Sequence, residues 1–159
     1  MNKMLIAIDG TEGSLRAVEY AGSQFSGMAD LKITLLHVLP YPPAPLWDDG
    51  HIPTREENEE RDKALDRWLF RQRIKAESIF EKALETLGRH NFSPEQIEQK
   101  AVSDSTDAAE TILEQARDGG YKTLVVGRRG SYRAGRLFMG SVTTKIINHG
   151  AGLAICVVE

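Results

Sequence analysis

The sequence predicts an α/β fold in which a parallel sheet carries helices on both faces. Short apolar runs alternate with stretches of helical periodicity along the whole chain, and such alternation implies right-handed crossovers between parallel strands. Runs apolar on both faces, such as Met4 to Ile8, read as buried parallel strands. Asp9-Gly10, Val38 and Gly127 all fall at the carboxyl ends of these runs. Three segments therefore converge on the edge where open α/β sheets hold ligands.

Met4 to Ile8 is the first strand, closed by Asp9-Gly10. Leu15, Val18, Gly22 and Phe25 then share a helical stripe, with Thr11 as candidate N-cap. Ile33 to Val38 is the second strand. Pro40 to Pro53 breaks regular structure with four prolines by Pro45, followed by Trp47-Asp48-Asp49-Gly50-His51. Connections this long are functional or mobile, and Trp47 reads equally as a lid or an interface aromatic. From about Glu56 to Arg89 runs the longest helical pattern. Its apolar face is Leu65, Trp68, Leu69, Gln72, Ala76, Ile79, Phe80, Ala83, Leu84 and Leu87, with Gly88 near its end. The opposite face is dense with charge and expected to be solvated. Ile97 to Val102 is interrupted by Glu98, Gln99 and Lys100, as an edge strand would be. Ser105 or Thr106 can cap a helix carrying Ala108, Ala109, Ile112, Leu113 and Ala116, which stops at Gly119-Gly120. A fourth strand ends at Gly127, a fourth helix carries Val142, Ile146 and Ile147, and Leu153 to Val158 is the fifth strand.

Composition narrows the function classes. A chain of 159 residues suits one domain with a sizeable core. With 41% hydrophobic and 27% charged residues it reads as a soluble globular protein. Net charge −3 and pI about 5.8 do not suggest a nucleic-acid binder. A local basic loop on an acidic chain suggests a small anionic ligand instead. No apolar run nears the roughly 20 residues needed to span a bilayer, and Met1-Asn2-Lys3 leads straight into a strand without a signal-peptide pattern. The cytoplasm is the expected location. The single cysteine, Cys156, cannot form an intrachain disulfide and reads as an inert core thiol. His37, His51, His90 and His149 do not cluster, and packing or helix-end roles explain them better than metal ligation.

The most informative stretch is Leu124-Val125-Val126-Gly127-Arg128-Arg129-Gly130, followed after nine residues by Gly140-Ser141-Val142-Thr143. A strand, a glycine loop and a fresh helix start form an arrangement suited to phosphate. Glycine lets amide N–H groups turn inward and an anion approach without a Cβ in the way. The helix start adds unpaired N–H groups and the positive end of its dipole. Ser141 can cap the helix or give its hydroxyl to a phosphate oxygen, and Thr143 adds a donor. Arg128, Arg129, Arg133 and Arg136 place four cations in or beside the loop, some bidentate to phosphate and at least two simply solvated. An ordinary strand-to-helix connection also uses glycines; the full spacing is the more demanding pattern.

That spacing resembles the nucleotide-binding signature of the universal stress protein family, in its ATP-binding subgroup. Ala7-Ile8-Asp9-Gly10-Thr11-Glu12-Gly13-Ser14 is similar to the family's opening strand and turn. Leu36-His37-Val38 and Leu124-Val125-Val126-Gly127 are similar to its second and fourth strands. The resemblance implies a three-layer, doubly wound, Rossmann-like fold of five parallel strands in the order 3-2-1-4-5. It also implies ATP, AMP or a related adenine nucleotide in the crevice. Ala7, Ile8, Asp9 and Val38 would then hold adenine and ribose. Val126, Gly127, Arg129, Gly130, Gly140, Ser141, Val142 and Thr143 would surround ribose and phosphates. Ala151-Gly152-Leu153-Ala154-Ile155 lacks the Cys-Pro often found before the last strand of such proteins.

Asp9 has two readings: a turn residue bonding nearby backbone, or a carboxylate that takes a ribose hydroxyl or one position on a Mg²⁺. No second carboxylate accompanies it in sequence. For function, a nucleotide-binding regulatory or stress-response module with slow or no hydrolysis competes with two alternatives. One is an ATP-hydrolysing or nucleotidyl-transfer enzyme, but neither a Walker lysine loop nor an evident Mg²⁺ carboxylate set is present. The other is an interaction protein with a vestigial pocket. Finally, Ile155, Val157 and Val158 make the last strand very apolar for a sheet edge. Such an edge invites a homodimer in which two copies of Leu153 to Val158 meet about a two-fold axis, as the family resemblance also suggests.

Overall fold

The computed structural model describes residues 2–48, 50–103, 107–128 and 139–159. Five strands, β1 (Asn2–Ala7), β2 (Leu31–Val38), β3 (Ile97–Val102), β4 (Thr123–Gly127) and β5 (Ala154–Val158), form one parallel sheet in the order β3-β2-β1-β4-β5. The strand order reverses between β1 and β4, where Ile6 pairs with Leu35 on one side and Val125 on the other. Four helices connect the strands: α1 (Glu12–Phe25), α2 (Arg55–Arg89), α3 (Ala108–Asp118) and α4 (Ser141–His149).

Alternation along the strands divides the core in two. Met4, Ile6, Ile8 and Val125 face α1 and α2, packing on Val18, Ile79, Phe80 and Leu87. Leu5, Leu124 and Val126 face α3 and α4, packing on Ile112, Leu113 and Ile146. β3 lies at one edge with Glu98, Gln99 and Lys100 exposed, which explains its polar middle. β5 lies at the other, with Val157 37% exposed. Cys156 is half-buried there rather than sealed in the core.

The helix starts follow side-chain capping. Thr11 accepts from the Ser14 amide, and Thr54 and Glu57 form a reciprocal capping box on α2. For α3 the cap is Asp107, accepting from the amides of Ala109 and Glu110. The expected Ser105 and Thr106 lie outside the described residues. Ser141 is not the cap of α4 either. Gly140 holds that position, and among the described residues no side chain accepts from the amides of the helix start.

The expected apolar face of α2 is core only in its second half. All its buried residues lie at Ala76 or beyond, while Leu65 and Trp68 are half-buried and Leu69 is exposed. The reason is length. Thirty-five residues of helix reach about 52 Å, whereas the eight residues of β2 span roughly 26 Å. The Pro40 to Pro53 connection contains one 3-10 turn, Ala44–Leu46. Trp47 packs edge-on against Tyr41 and donates its indole N–H to the Pro42 carbonyl. No described helix is long and apolar enough to cross a membrane.

At the end of β1 the chain turns through Gly10 at φ +80°, where a Cβ would lie 2.8 Å from Ile79 Cγ1 of α2. Gly10→Ala should therefore lower stability by at least about 1 kcal/mol, combining left-handed strain with displacement of Ile79. Urea unfolding measures it. An unchanged midpoint would contradict this turn geometry.

Candidate functional site

At the carboxyl edge of the sheet, where the order reverses, lies a cavity of about 520 Å³. Its floor comes from the ends of β1, β2 and β4, with Ala7, Ile8, Asp9, Val38, Val126 and Gly127. Gly140, Ser141, Val142 and Thr143, at the start of α4, form another wall. All the expected site residues within the described chain thus line one space. Arg129 and Gly130, like Arg133 and Arg136, lie outside the described residues. Arg128 does not line the cavity; its guanidinium pairs with the Glu159 carboxylate.

Gly127 anchors the site, for a reason other than ligand access. A Cβ there would sit 2.6 Å from both the carbonyl carbon and oxygen of Gly13 and 3.0 Å from the Ser14 amide nitrogen. The end of β4 thus lies directly against the first turn of α1, which demands glycine before any ligand is considered. Thr143 donates its hydroxyl to the Gly127 carbonyl at 2.8 Å. That proton holds α4 on β4, so what Thr143 can still offer a ligand as a donor is its backbone amide. The Gly140 amide in turn donates to the Arg128 carbonyl at 2.9 Å, tying the two ends of the glycine loop together.

The start of α4 differs electrically from the other helix starts. A helix begins with amides that have no intrahelical partner and with the positive end of its dipole. In α1, α2 and α3 a threonine or aspartate oxygen occupies that position. In α4 none does, and the cavity lies in front of it. Asp9 makes the turn that its first reading expects. Oδ1 accepts from the Thr11 amide (2.9 Å) and hydroxyl (2.5 Å), forming the turn. Oδ2 takes no bond from a described residue and remains available to a ligand. Asp9 is the sole carboxylate among the described lining residues.

Sequence reasoning missed the wall opposite α4. Tyr41, Gln72 and Lys75 line the cavity there, and Lys75 forms no ion pair with a described residue. Helical periodicity places Gln72 on the inner side of α2, but nothing in the sequence distinguishes Lys75 from the other cations of that helix. His37 lines the floor, buried, with Nδ1 2.8 Å from the Ile8 carbonyl. It supports the β1 end instead of forming any histidine cluster.

Asp107, beside the lining residue Ala108, also pairs with Lys145 of α4 and so joins α3 to α4. The Lys145 hydrogen bond, then the Glu110 amide, hold the Asp107 carboxyl below its ordinary 3.8. Asp107 in turn raises Lys145 above 10.5. Since the folded pKa of Asp107 is depressed, its contribution is complete above about pH 4 and is lost as pH falls through the folded value. That of Lys145 is complete below 10.5 and is lost as pH rises through its folded value. Asp107→Asn keeps a capping oxygen but loses the pair. Its melting temperature should fall below the parent's at pH 7, and the gap should close in acid below the ordinary carboxylate value. A gap that persists unchanged in acid would contradict this assignment.

Comparison with known proteins agrees with this architecture. A family model described as the universal stress protein family matches residues 1–151. Among solved structures, the chain is similar to the universal stress protein UspA from Lactobacillus plantarum. The identity is 17% and the TM-score 0.70, covering 99% of this chain and 97% of that one. It is similar to a universal stress protein family protein from Arabidopsis thaliana with AMP bound, at 17% identity and TM-score 0.59, covering 99% and 91%. It is also similar to the universal stress protein from Archaeoglobus fulgidus in complex with dAMP, at 14% identity and TM-score 0.60, covering 100% and 98%. At these identities the structural likeness establishes the fold.

Proposed function

The chain belongs to the universal stress protein family, and on that premise we propose that its cavity binds an adenine nucleotide, AMP or ATP, as a cytoplasmic regulatory module with slow or no hydrolysis. The observation that carries this reading is the uncapped start of α4 facing a largely apolar cavity. An anion at that point satisfies amides that no described side chain satisfies, and the apolar floor suits a planar base. A volume of about 520 Å³ is of the size that small-molecule sites occupy. Two structural relatives carry AMP and dAMP, which supports the same ligand class here.

In this reading Ala7, Ile8 and Val38 enclose the base, and Asp9 Oδ2 accepts a ribose hydroxyl. Val126, Gly127, Arg129, Gly130, Gly140, Ser141, Val142 and Thr143 surround the ribose and phosphates. The Ser141, Val142 and Thr143 amides supply most of the anion contacts. Mg²⁺, when a polyphosphate is bound, would draw its ligands mainly from the nucleotide and water, since Asp9 is the one lining carboxylate among the described residues.

Ser141→Pro tests this without disturbing the fold. Ser141 is the first helical residue, where proline is tolerated because its amide has no intrahelical partner. Gly140 at φ −60° and ψ 150° already has the conformation favoured before proline. AMP should raise the parent's melting temperature. The proline variant should unfold normally yet bind AMP at least about tenfold more weakly, the value of one charge-assisted bond, while Ser141→Ala stays near the parent. Calorimetric titration measures all three, and equal affinity for Ser141→Pro would overturn the amide site.

The same proposal includes a homodimer through β5, supported by the apolar, partly exposed edge at Val157. Val157→Lys should halve the mass by light scattering at micromolar concentration. A mass unaffected by that charge would exclude β5 as the interface.

A further inference from the structure

We propose that the exposed stretch of α2 before Ala76 is a homotypic docking surface, on which two copies of this chain pair antiparallel over residues 65–74. This inference does not depend on the nucleotide or on β5.

Between Arg55 and Lys75 α2 buries no residue in the core. On one side Arg61 donates to the Trp47 carbonyl, and the Ala44–Leu46 turn borders the same side. The other side keeps large apolar groups in water, with Leu69 40%, Phe70 61% and Ile74 49% exposed. At 3.6 residues per turn these three share one side of the helix, and Asp66 and Arg73 lie between them. Most helical stability in proteins comes from packing of an apolar face, and clustered exposed apolar groups mark an interaction surface.

Charge identifies the occupant. From Arg55 to Asp66 six acids stand against three bases, net −3, while from Arg67 to Lys75 four bases stand against no acid. Asp66, Arg67, Arg71 and Arg73 form no ion pair with any described residue. A second copy laid parallel would set like charges together. Laid antiparallel, it sets the acidic segment of each helix against the basic segment of the other, a self-complementary two-fold contact. In the register that places Leu69 beside the partner copy's residue 70, position 66 meets 73 and position 65 meets 74. Each copy then contributes an Asp–Arg pair flanked by apolar contacts. A site built for a purely acidic or purely basic partner would not need both segments.

Two measurements test the surface in the full-length chain. In a Cys156→Ser background, Phe70→Cys should give a disulfide-linked dimer on mild oxidation much faster than a control, Lys82→Cys, on another side of α2. By light scattering, Phe70→Glu with Ile74→Glu should halve the parent's mass, whether the parent is a dimer through α2 alone or a tetramer through α2 and β5. Asp66→Arg and Arg73→Asp should each reduce association, and the double reversal should restore it. An unchanged mass in the Phe70/Ile74 variant, or cross-linking no faster than the control, would overturn the proposal and assign the surface to a different partner. A loss that charge reversal fails to rescue would overturn the antiparallel arrangement.

Discussion

The structure depends on the close contact between the end of β4 and the first turn of α1. Gly127 has no space for a Cβ, because the Gly13 backbone occupies it. Three bonds spread from the same point. Thr143 donates to the Gly127 carbonyl, the Arg128 amide donates to the Val158 carbonyl, and the Gly140 amide donates to the Arg128 carbonyl. The last residue of β4 and the residue after it thereby set the positions of α1, α4 and β5. Where α4 begins, and what its amides face, follows from that contact and not from ligand chemistry.

The consequence is a site made chiefly of backbone. One of its charge-bearing elements is the start of a helix, which no mutation of a surface arginine can remove and which changes little with pH. Side chains shape the rest. Asp9 spends one oxygen on its own turn and keeps the other. Thr143 spends its hydroxyl proton on locking α4. Such a site favours a small ligand with an apolar plane and an anionic end. It also suits an acidic protein, because the attraction is local rather than a property of net charge.

Much of this was legible from residues alone. Strands other than β3 were visible as apolar runs, β3 matches its expected bounds despite its polar middle, and Thr11 is the cap that its position suggested. The carboxyl-end residues Asp9, Val38 and Gly127 do share one cavity. What was not legible depended on distances between elements. Periodicity extended the apolar face of α2 to Leu65, but the sheet is too short to cover it. Glycine at 127 reads as access for an anion, whereas the neighbouring backbone of α1 already requires it. Lys75 looks like any solvated cation until the helix is laid over the cavity. Ser141 looked like a cap, yet Gly140 takes that position and leaves the helix start open to the cavity.

The central claim, that the uncapped amides of α4 receive an anion, can be observed atom by atom. In ¹⁵N-labelled protein titrated with AMP and, separately, with adenosine, the account predicts downfield proton shifts at the Ser141, Val142 and Thr143 amides with AMP only. Residues around Ile8 and Val38 should respond to both. AMP shifts that leave those three amides unmoved would contradict it.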